Sequence, residues 1–488
     1  MRVTLRVDKN RTLTRKDFLR VAGAGAALLG ASGCDRTDRS PKPLENRKKG
    51  NYRAKNAILV IVDSLRKDHV GAYGNDWART PSFDALSEES VLFSQAHPDA
   101  MPTIPARRAI HTGMRTFPVK APSFGWRSIP ESQATLAEIL ENAGYGTFLV
   151  TDTYLQWRPS MNFGRGFKVY HRIRGQEGDH LRDPSIISEE WMRQHYLIDG
   201  KGTNVRQHLA NVHGRRKSEE DWFAPKVFTN AMEVLEGASR RQPFFLVVDC
   251  FDPHEPWDPP EEYIRLYDPD GYEGKEPVND NYGPDDYLTD RQLLRMRARY
   301  SAEVTMADRW FGKFLEKAHD LSIMENTLLV VISDHGHAFG EHGYTGKPPY
   351  ALWPELTDIV LFVRHPEGKG AGTINDHYAS THDVAPTILG YLGIEPPRPM
   401  DGQDLSVPFE GEEPEPRPHF TLCYGTFVCT RDEHYVMFSR NDGKNARLYD
   451  IKTDPLQQRN LADDYPEIVD RMYEDYALKD AGGSLNPY

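Results

Sequence analysis

The chain has 488 residues, more than one minimal domain needs and enough for a large α/β core with an appended unit. Its formal net charge of −12 and pI near 5.9 exclude a general nucleic-acid surface, because phosphate backbones are gripped by clustered Lys and Arg. With 39% hydrophobic residues, a mean hydropathy of −0.64 and no apolar run of the roughly 20 residues that cross a bilayer, the composition suits a catalytic domain acting on small molecules.

At the amino terminus Arg2, Arg6, Lys9, Arg11, Arg15, Lys16 and Arg20 precede a short Ala- and Gly-rich apolar stretch over 21–31, the layout of an export signal. Residues 14–19 resemble a twin-arginine signal with Lys16 in the second Arg position. Residues 31–34 resemble the box ahead of a lipidated cysteine, with Ala31 where Leu is more usual. The expectation is an export signal over 1–34 with Cys34 as a candidate lipid anchor, a charged tether over 35–52, and a periplasmic or cell-envelope location. Setting Cys34 aside leaves Cys250, Cys423 and Cys429, an odd number, so the core should not depend on disulfides. On one extended strand Cys423 and Cys429 would stand roughly 20 Å apart, and only a turn at 424–426 would bring them together.

The first buried strand is read at 57–62 (AILVIV), an unbroken apolar run that ends on Asp63. After Pro105, residues 107–111 read as the opening of a helix with 101–104 as the loop leading in. Thr103 would then stand just ahead of a helix amino terminus, as a plain N-cap or as a group that meets an anion there. Residues 132–143 carry Leu136, Ile139 and Leu140 on one face of a second helix, which closes at Gly144 before a strand at 146–150. The charged segment 172–236 reads as an insertion that shapes a pocket, with His180, His195, His208 and His213 at its surface. A strand at 243–248 ends on Asp249 and leads into Asp252-Pro253-His254-Glu255-Pro256-Trp257, and 288–321 is a long helix packing on the sheet. The run 328–332 stops abruptly at Ser333-Asp334-His335-Gly336, a carboxylate and an imidazole at the end of a buried strand, where open α/β sheets bind ligands. A strand at 359–363, a helix at 383–392, a boundary at the Pro-rich turn 396–399, antiparallel strands at 420–428 and 435–439 and a closing helix at 465–478 complete the chain.

Strands alternating with helices give the fold class: α/β, a mixed, largely parallel central sheet sandwiched by helices, with a smaller C-terminal antiparallel sheet plus helix. The catalytic part spans 53–395 and the C-terminal subdomain 396–488. The carboxyl edge of the large sheet would gather Asp63, Asp249 and Asp334.

From about residue 56 to 462 the chain resembles the sulfatase family of the alkaline phosphatase superfamily. The likeness rests on motifs in order: Asp63-Ser64-Leu65-Arg66, Thr103-Ile104-Pro105-Ala106-Arg107 with Thr112-Gly113, and His254 in a Pro-His-x-Pro setting. Asp334-His335-Gly336, Gly346-Lys347, Leu448-Tyr449-Asp450, Asp454-Pro455 and Arg459-Asn460-Leu461 continue it. The resemblance implies a hydrolase of sulfate- or phosphate-type esters that uses one divalent metal ion. By similarity Asp63, Asp334, His335 and Thr103 would hold the metal, Thr103 would be the nucleophile, and Arg107, His254 and Lys347 would hold the transferring group and the leaving oxygen.

Departures from the family pattern point to the reaction. Sulfatases oxidise a Cys or Ser at the nucleophile position to formylglycine; Thr103 cannot become that aldehyde, and Ala106 replaces the motif's Ser. A threonine ester must be cleared by water attacking the transferred group, which favours phosphoester or phosphodiester cleavage. Ser64 and His335 stand where the family more often has Asp and Asn, and the softer donor set favours Zn or Mn over Ca or Mg. The family's Lys and His after the third strand are replaced by Thr151-Asp152-Thr153-Tyr154, which makes Asp152 or Tyr154 a candidate substrate contact. The substrate would be a small-molecule or carbohydrate anionic ester. A sulfuric ester hydrolase and a non-catalytic anion-binding lipoprotein are the competing readings.

Overall fold

Every apolar run that ends in a carboxylate is a strand of one eight-stranded sheet. The structure, a computed structural model, describes residues 55–119, 126–197 and 202–486; the expected export signal, Cys34 and the tether lie outside the described residues. The sheet is built from β1 (Asn56–Val62), β2 (Val91–His97), β3 (Gly146–Thr151), β4 (Val169–Arg172), β5 (Phe244–Cys250), β6 (Thr327–Ser333), β7 (Leu361–Arg364) and β8 (Thr373–Ser380). Their spatial order is β8-β2-β7-β6-β1-β5-β3-β4. Neighbours are parallel except at β7, which runs against both β2 and β6. The mixed, largely parallel sheet expected from the sequence is therefore present.

The central strands read as continuous apolar runs because both faces are covered. Alternate residues of β1 point to opposite sides. Ile58, Val60 and Val62 pack in a cluster with Phe228 of the helix α3 (Phe223–Ser239) and Phe311 of α4 (Asp290–Asp320). Ala57, Leu59 and Ile61 face a cluster containing Ile110 of α1 (Thr103–Thr112), Leu136 and Leu140 of α2 (Leu136–Asn142) and Ile388 of α5 (Val384–Leu392). Thr135 starts α2 with a capping box closed by Glu138, so the helix is shorter than its apolar pattern over 132–143.

The smaller sheet has the order β12-β11-β10-β9, from β9 (His419–Tyr424), β10 (Phe427–Asp432), β11 (Tyr435–Arg440) and β12 (Arg447–Asp450), all antiparallel. Its fifth member is the two-residue strand Ala100–Met101, parallel to β9, which leads directly into α1. The C-terminal sheet thus positions the segment that carries Thr103. Beyond it lies a closing helix, Pro466–Arg471, followed by a π-helical turn over Met472–Leu478.

Three expectations change. Helix α1 begins at Thr103 itself, not at 107, so Thr103 lies in the first turn and its side chain is no cap. The segment 420–428 is a hairpin rather than one strand, with Gly425 at positive φ in its turn. That turn does bring Cys423 and Cys429 near each other, but Cys423 faces Val428 across the ladder and Cys429 faces Leu422, which puts the thiols on opposite faces. Cys250, Cys423 and Cys429 are buried and free. Strands β2, β4 and β8 were not foreseen, since β4 and β8 are short of apolar residues and mostly exposed at the sheet's two edges.

Leu246 sits fully buried in β5, a strand paired with a neighbour on each side. Leu246→Ala is expected to lower unfolding free energy by about 2–5 kcal/mol, measured as a shifted denaturant midpoint at unchanged slope.

Candidate active site

Strands β1 and β6 pair in register with Val62 opposite Ser333, so the residues that follow, Asp63 and Asp334, leave the sheet side by side. Ligand atoms of Asp63, Asp334 and His335 all lie within 4.8 Å of one another, and all three side chains are fully buried. Between the two carboxylates the chain is held tightly. Ser64 adopts φ 56°, a left-handed conformation unfavourable for a residue with a Cβ. Its N–H donates to Asp334 Oδ1 at 3.0 Å, its hydroxyl donates to Asp63 Oδ1 at 2.8 Å, and its carbonyl accepts from Tyr300 at 2.8 Å. After His335 only glycine fits, because a Cβ on Gly336 would meet the Glu355 carbonyl at 1.9 Å.

His335 is prepared as a metal ligand. Nδ1 lies 3.0 Å from the Gly336 carbonyl, which can only accept, so the proton sits on Nδ1 and the Nε2 lone pair faces the site. Nε2 is 3.5 Å from Asp334 Oδ2, 3.9 Å from Asp63 Oδ1 and 3.4 Å from Thr103 Oγ1. Burial pulls the imidazole pKa down to about 4, which keeps it neutral at pH 7.

Helix α1 delivers two more of the expected residues on one face, four apart. Thr103 presents its hydroxyl to His335, and Arg107 sits one turn deeper. The guanidinium, expected to face a transferring group, is taken up by carboxylates. Nε and Nη2 donate to Asp249 at 3.0 and 2.7 Å, and Nη1 lies 2.5 Å from Asp334 and 2.9 Å from Asp63. Asp249 also accepts from Thr153 at 3.2 Å and from Gln156. The strand-end pattern had marked Asp249 as part of this edge without giving it a partner.

Three buried carboxylates therefore surround one buried guanidinium. Burial, then repulsion from Asp334, pushes Asp63 well above the usual carboxylate range, against the pull of Arg107 and Lys347. Asp334 falls to about 2: burial opposes ionisation, but His335, Arg107 and the Ser64 N–H outweigh it. Asp63 Oδ2 touches Arg107 yet accepts no hydrogen bond. An under-neutralised carboxylate pair, a buried orphan oxygen and an imidazole lone pair aimed between them fit a divalent cation.

Lys347 and His254 lie beside this centre. Lys347 Nζ donates to Ser64 Oγ at 3.4 Å and to Glu255 Oε2 at 3.3 Å. His254 stacks on Phe251 with ring centroids 4.1 Å apart, and its Nδ1 donates to the Glu255 carbonyl at 2.8 Å. Burial holds its imidazole well below the ordinary range, with Glu255 the main opposing influence. His337 is bound to Asp280 at 2.7 Å, His342 stacks on Trp353, and His382 lies 3.9 Å from Asp99, so each has a structural contact. In the insertion His208 is buried and paired with Asp258 at 3.0 Å rather than surface-placed. Asp152 is also buried, its Oδ2 sharing the Gln176 amide with Asp252, and Tyr154 packs in an apolar cluster. Cavities of about 290 and 380 Å³ do lie in the insertion, but Trp191, Arg215, Arg216 and Lys226 are among their walls and no residue of the acidic centre is.

Known proteins share this fold. The family model for sulfatases matches residues 55–394. An arylsulfatase of Clostridium perfringens is 24% identical over 86% of this chain and 92% of its own length. The multifunctional alkaline phosphatase superfamily protein PehA of Trinickia caryophylli is 24% identical over 87% of this chain and 94% of its own. Among solved structures, the phosphonate monoester hydrolase of Silicibacter pomeroyi superposes with a TM-score of 0.68 at 20% identity, covering 88% of this chain and 96% of that one. The chain belongs to the sulfatase family of the alkaline phosphatase superfamily, and is a hydrolase of sulfate- or phosphate-type esters.

Proposed function

We propose that this protein is an exported phosphoester or phosphodiester hydrolase in which Thr103 is the nucleophile and one divalent cation, Zn or Mn before Ca or Mg, completes the site. The observation that carries the reading is the Thr103 hydroxyl 3.4 Å from the His335 lone pair, at a position where no formylglycine can form. A cation held by Asp63, Asp334, His335 and Thr103 would supply Lewis acidity and lower the hydroxyl pKa.

In this reading Thr103 attacks as the alkoxide, its proton having passed to solvent. The Oγ1–P bond forms as the bond from phosphorus to the leaving oxygen breaks, and that oxygen keeps the electron pair and takes a proton from His254 Nε2, one that the neutral imidazole, already protonated at Nδ1, gains from solvent as the anionic ester binds beside it. The N–H groups of Thr103 and Ile104, the ones left in a first turn where Pro105 has none and Ala106 donates to the Pro102 carbonyl, and the ammonium of Lys347 stabilise charge on the non-bridging oxygens. Arg107 neutralises and orders the three carboxylates instead of gripping the phosphoryl group. Water then attacks phosphorus and gives its proton to the now neutral His254 Nε2, the Oγ1–P bond breaks, and the Thr103 oxygen departs with the electron pair, restoring the nucleophile. The substrate class is a small-molecule or carbohydrate anionic ester. A sulfate ester is the competing substrate, supported by the arylsulfatase among the relatives.

On matched aryl esters, the phosphate mono- or diester should be turned over in preference to the sulfate; faster sulfate turnover would reverse the assignment. Thr103→Ala should cost on the order of 10³-fold or more in kcat with the bound metal retained, while Thr103→Ser keeps measurable turnover. Undiminished turnover in the Ala variant would remove Thr103 from the chemistry.

The raised Asp63 pKa gives a further expectation. The metal-stripped fold binds more protons than the unfolded chain above the ordinary Asp range, so its stability falls as pH rises through that window. Asp63→Asn removes this dependence. Metal-stripped Asp63→Asn should therefore melt above metal-stripped wild type at pH 8, with the gap narrowing at pH 5. Equal melting temperatures at both pH values would contradict an under-neutralised Asp63.

A further inference from the structure

Behind Lys347 and His254 lies a carboxylate to which no part of the reaction above assigns a task. Glu255 is 1% exposed, and each of its oxygens is engaged by groups from different loops. Oε2 lies 3.3 Å from Lys347 Nζ and 3.2 Å from His254 Nδ1, with His337 Nδ1 at 3.7 Å. Oε1 accepts from the Tyr282 hydroxyl. The Tyr282 ring in turn sits under Lys347, with Nζ 5.1 Å from its centroid. Gly346, at φ +79°, permits this stack, since a Cβ there would come within 2.4 Å of the Tyr282 ring.

We propose that Glu255 is the positioning residue for the leaving-group side of the site, holding the His254 imidazole and the Lys347 ammonium at the departing oxygen. The inference rests on the reading of His254 and Lys347 given above. The geometry carries it in two ways. The carbonyl and carboxylate of Glu255 both face His254 Nδ1, which fixes the tautomer and leaves Nε2, on the other edge of the ring, as the nitrogen that exchanges a proton. The same carboxylate and the Tyr282 face hold Lys347 from one side while Ser64 Oγ holds it from another. The Glu255 carboxylate is the larger of two influences that offset the burial disfavouring a proton on His254, the other being the bond to its own carbonyl.

The test is the dependence of rate on leaving group, with the metal-loaded enzyme and a pair of aryl esters of whichever class it hydrolyses, one with 4-nitrophenol and one with phenol. A good leaving group departs as the anion and needs no donor; a poor one does. In kcat/KM, which reports the step in which the leaving oxygen departs, Glu255→Gln should lose on the order of 10²-fold on the phenyl ester and several-fold at most on the nitrophenyl ester. Tyr282→Phe, which removes only the Oε1 donor, should steepen the dependence in the same direction by less. Equal losses on both esters, or no loss on either, would overturn the role. Because the readout follows departure alone, it is the same whether the attacking oxygen belongs to Thr103 or to water, and a failure of the Thr103 reading leaves this result standing.

Discussion

One guanidinium among three buried carboxylates is the constraint on which this site depends. Arg107 is fully buried, and Asp63, Asp249 and Asp334 approach it from the ends of three adjacent strands. Uncompensated charge in an interior costs several kcal/mol, and such a group neutralises or acquires a partner. Asp249 is satisfied by two guanidinium nitrogens with Thr153 and Gln156, and Asp334 by Arg107 and backbone N–H groups. The deficit falls on Asp63, which is why the proposed cation belongs between Asp63, Asp334 and His335 rather than elsewhere along the edge.

The topology explains how residues from distant parts of the chain come to share this centre. Parallel pairing of β1 with β5 and β6 brings three strand ends to one edge, and the register places Asp63 beside Asp334. The small sheet takes Ala100–Met101 as its edge and so anchors the amino end of α1 over the same spot. Stability and function meet here: the apolar clusters on both faces of β1 hold the strand against which the acidic residues are ordered, while Ser64 retains a left-handed backbone because Asp63, Asp334 and Tyr300 bind it.

Much of this was legible because a strand buried on both faces leaves a plain record, an apolar run of about six residues, and the carboxylate closing it is conspicuous. Asp63, Asp249 and Asp334 were all visible on those grounds, and the motif order linked them to Thr103, Arg107, His254 and Lys347. Pairing was not legible. That Arg107 spends its donors on carboxylates follows from the depth of α1, which depends on the small sheet, and no local pattern encodes that. Edge strands such as β4 and β8 were missed because half-exposed residues need not be apolar, and the 420–428 hairpin because one glycine turn interrupts an otherwise strand-like composition. Glu255 and Tyr282 carry no sequence signal beyond their place near a motif; only their convergence on Lys347 distinguishes them.

The most direct measurement of the central claim is calorimetric titration of the metal-stripped protein with Zn or Mn in two buffers of different ionisation enthalpy. The account predicts one cation per chain, protons released on binding as Asp63 ionises, and loss of that binding in Asp334→Asn. No binding at this stoichiometry, or full binding retained after Asp334→Asn, would contradict it.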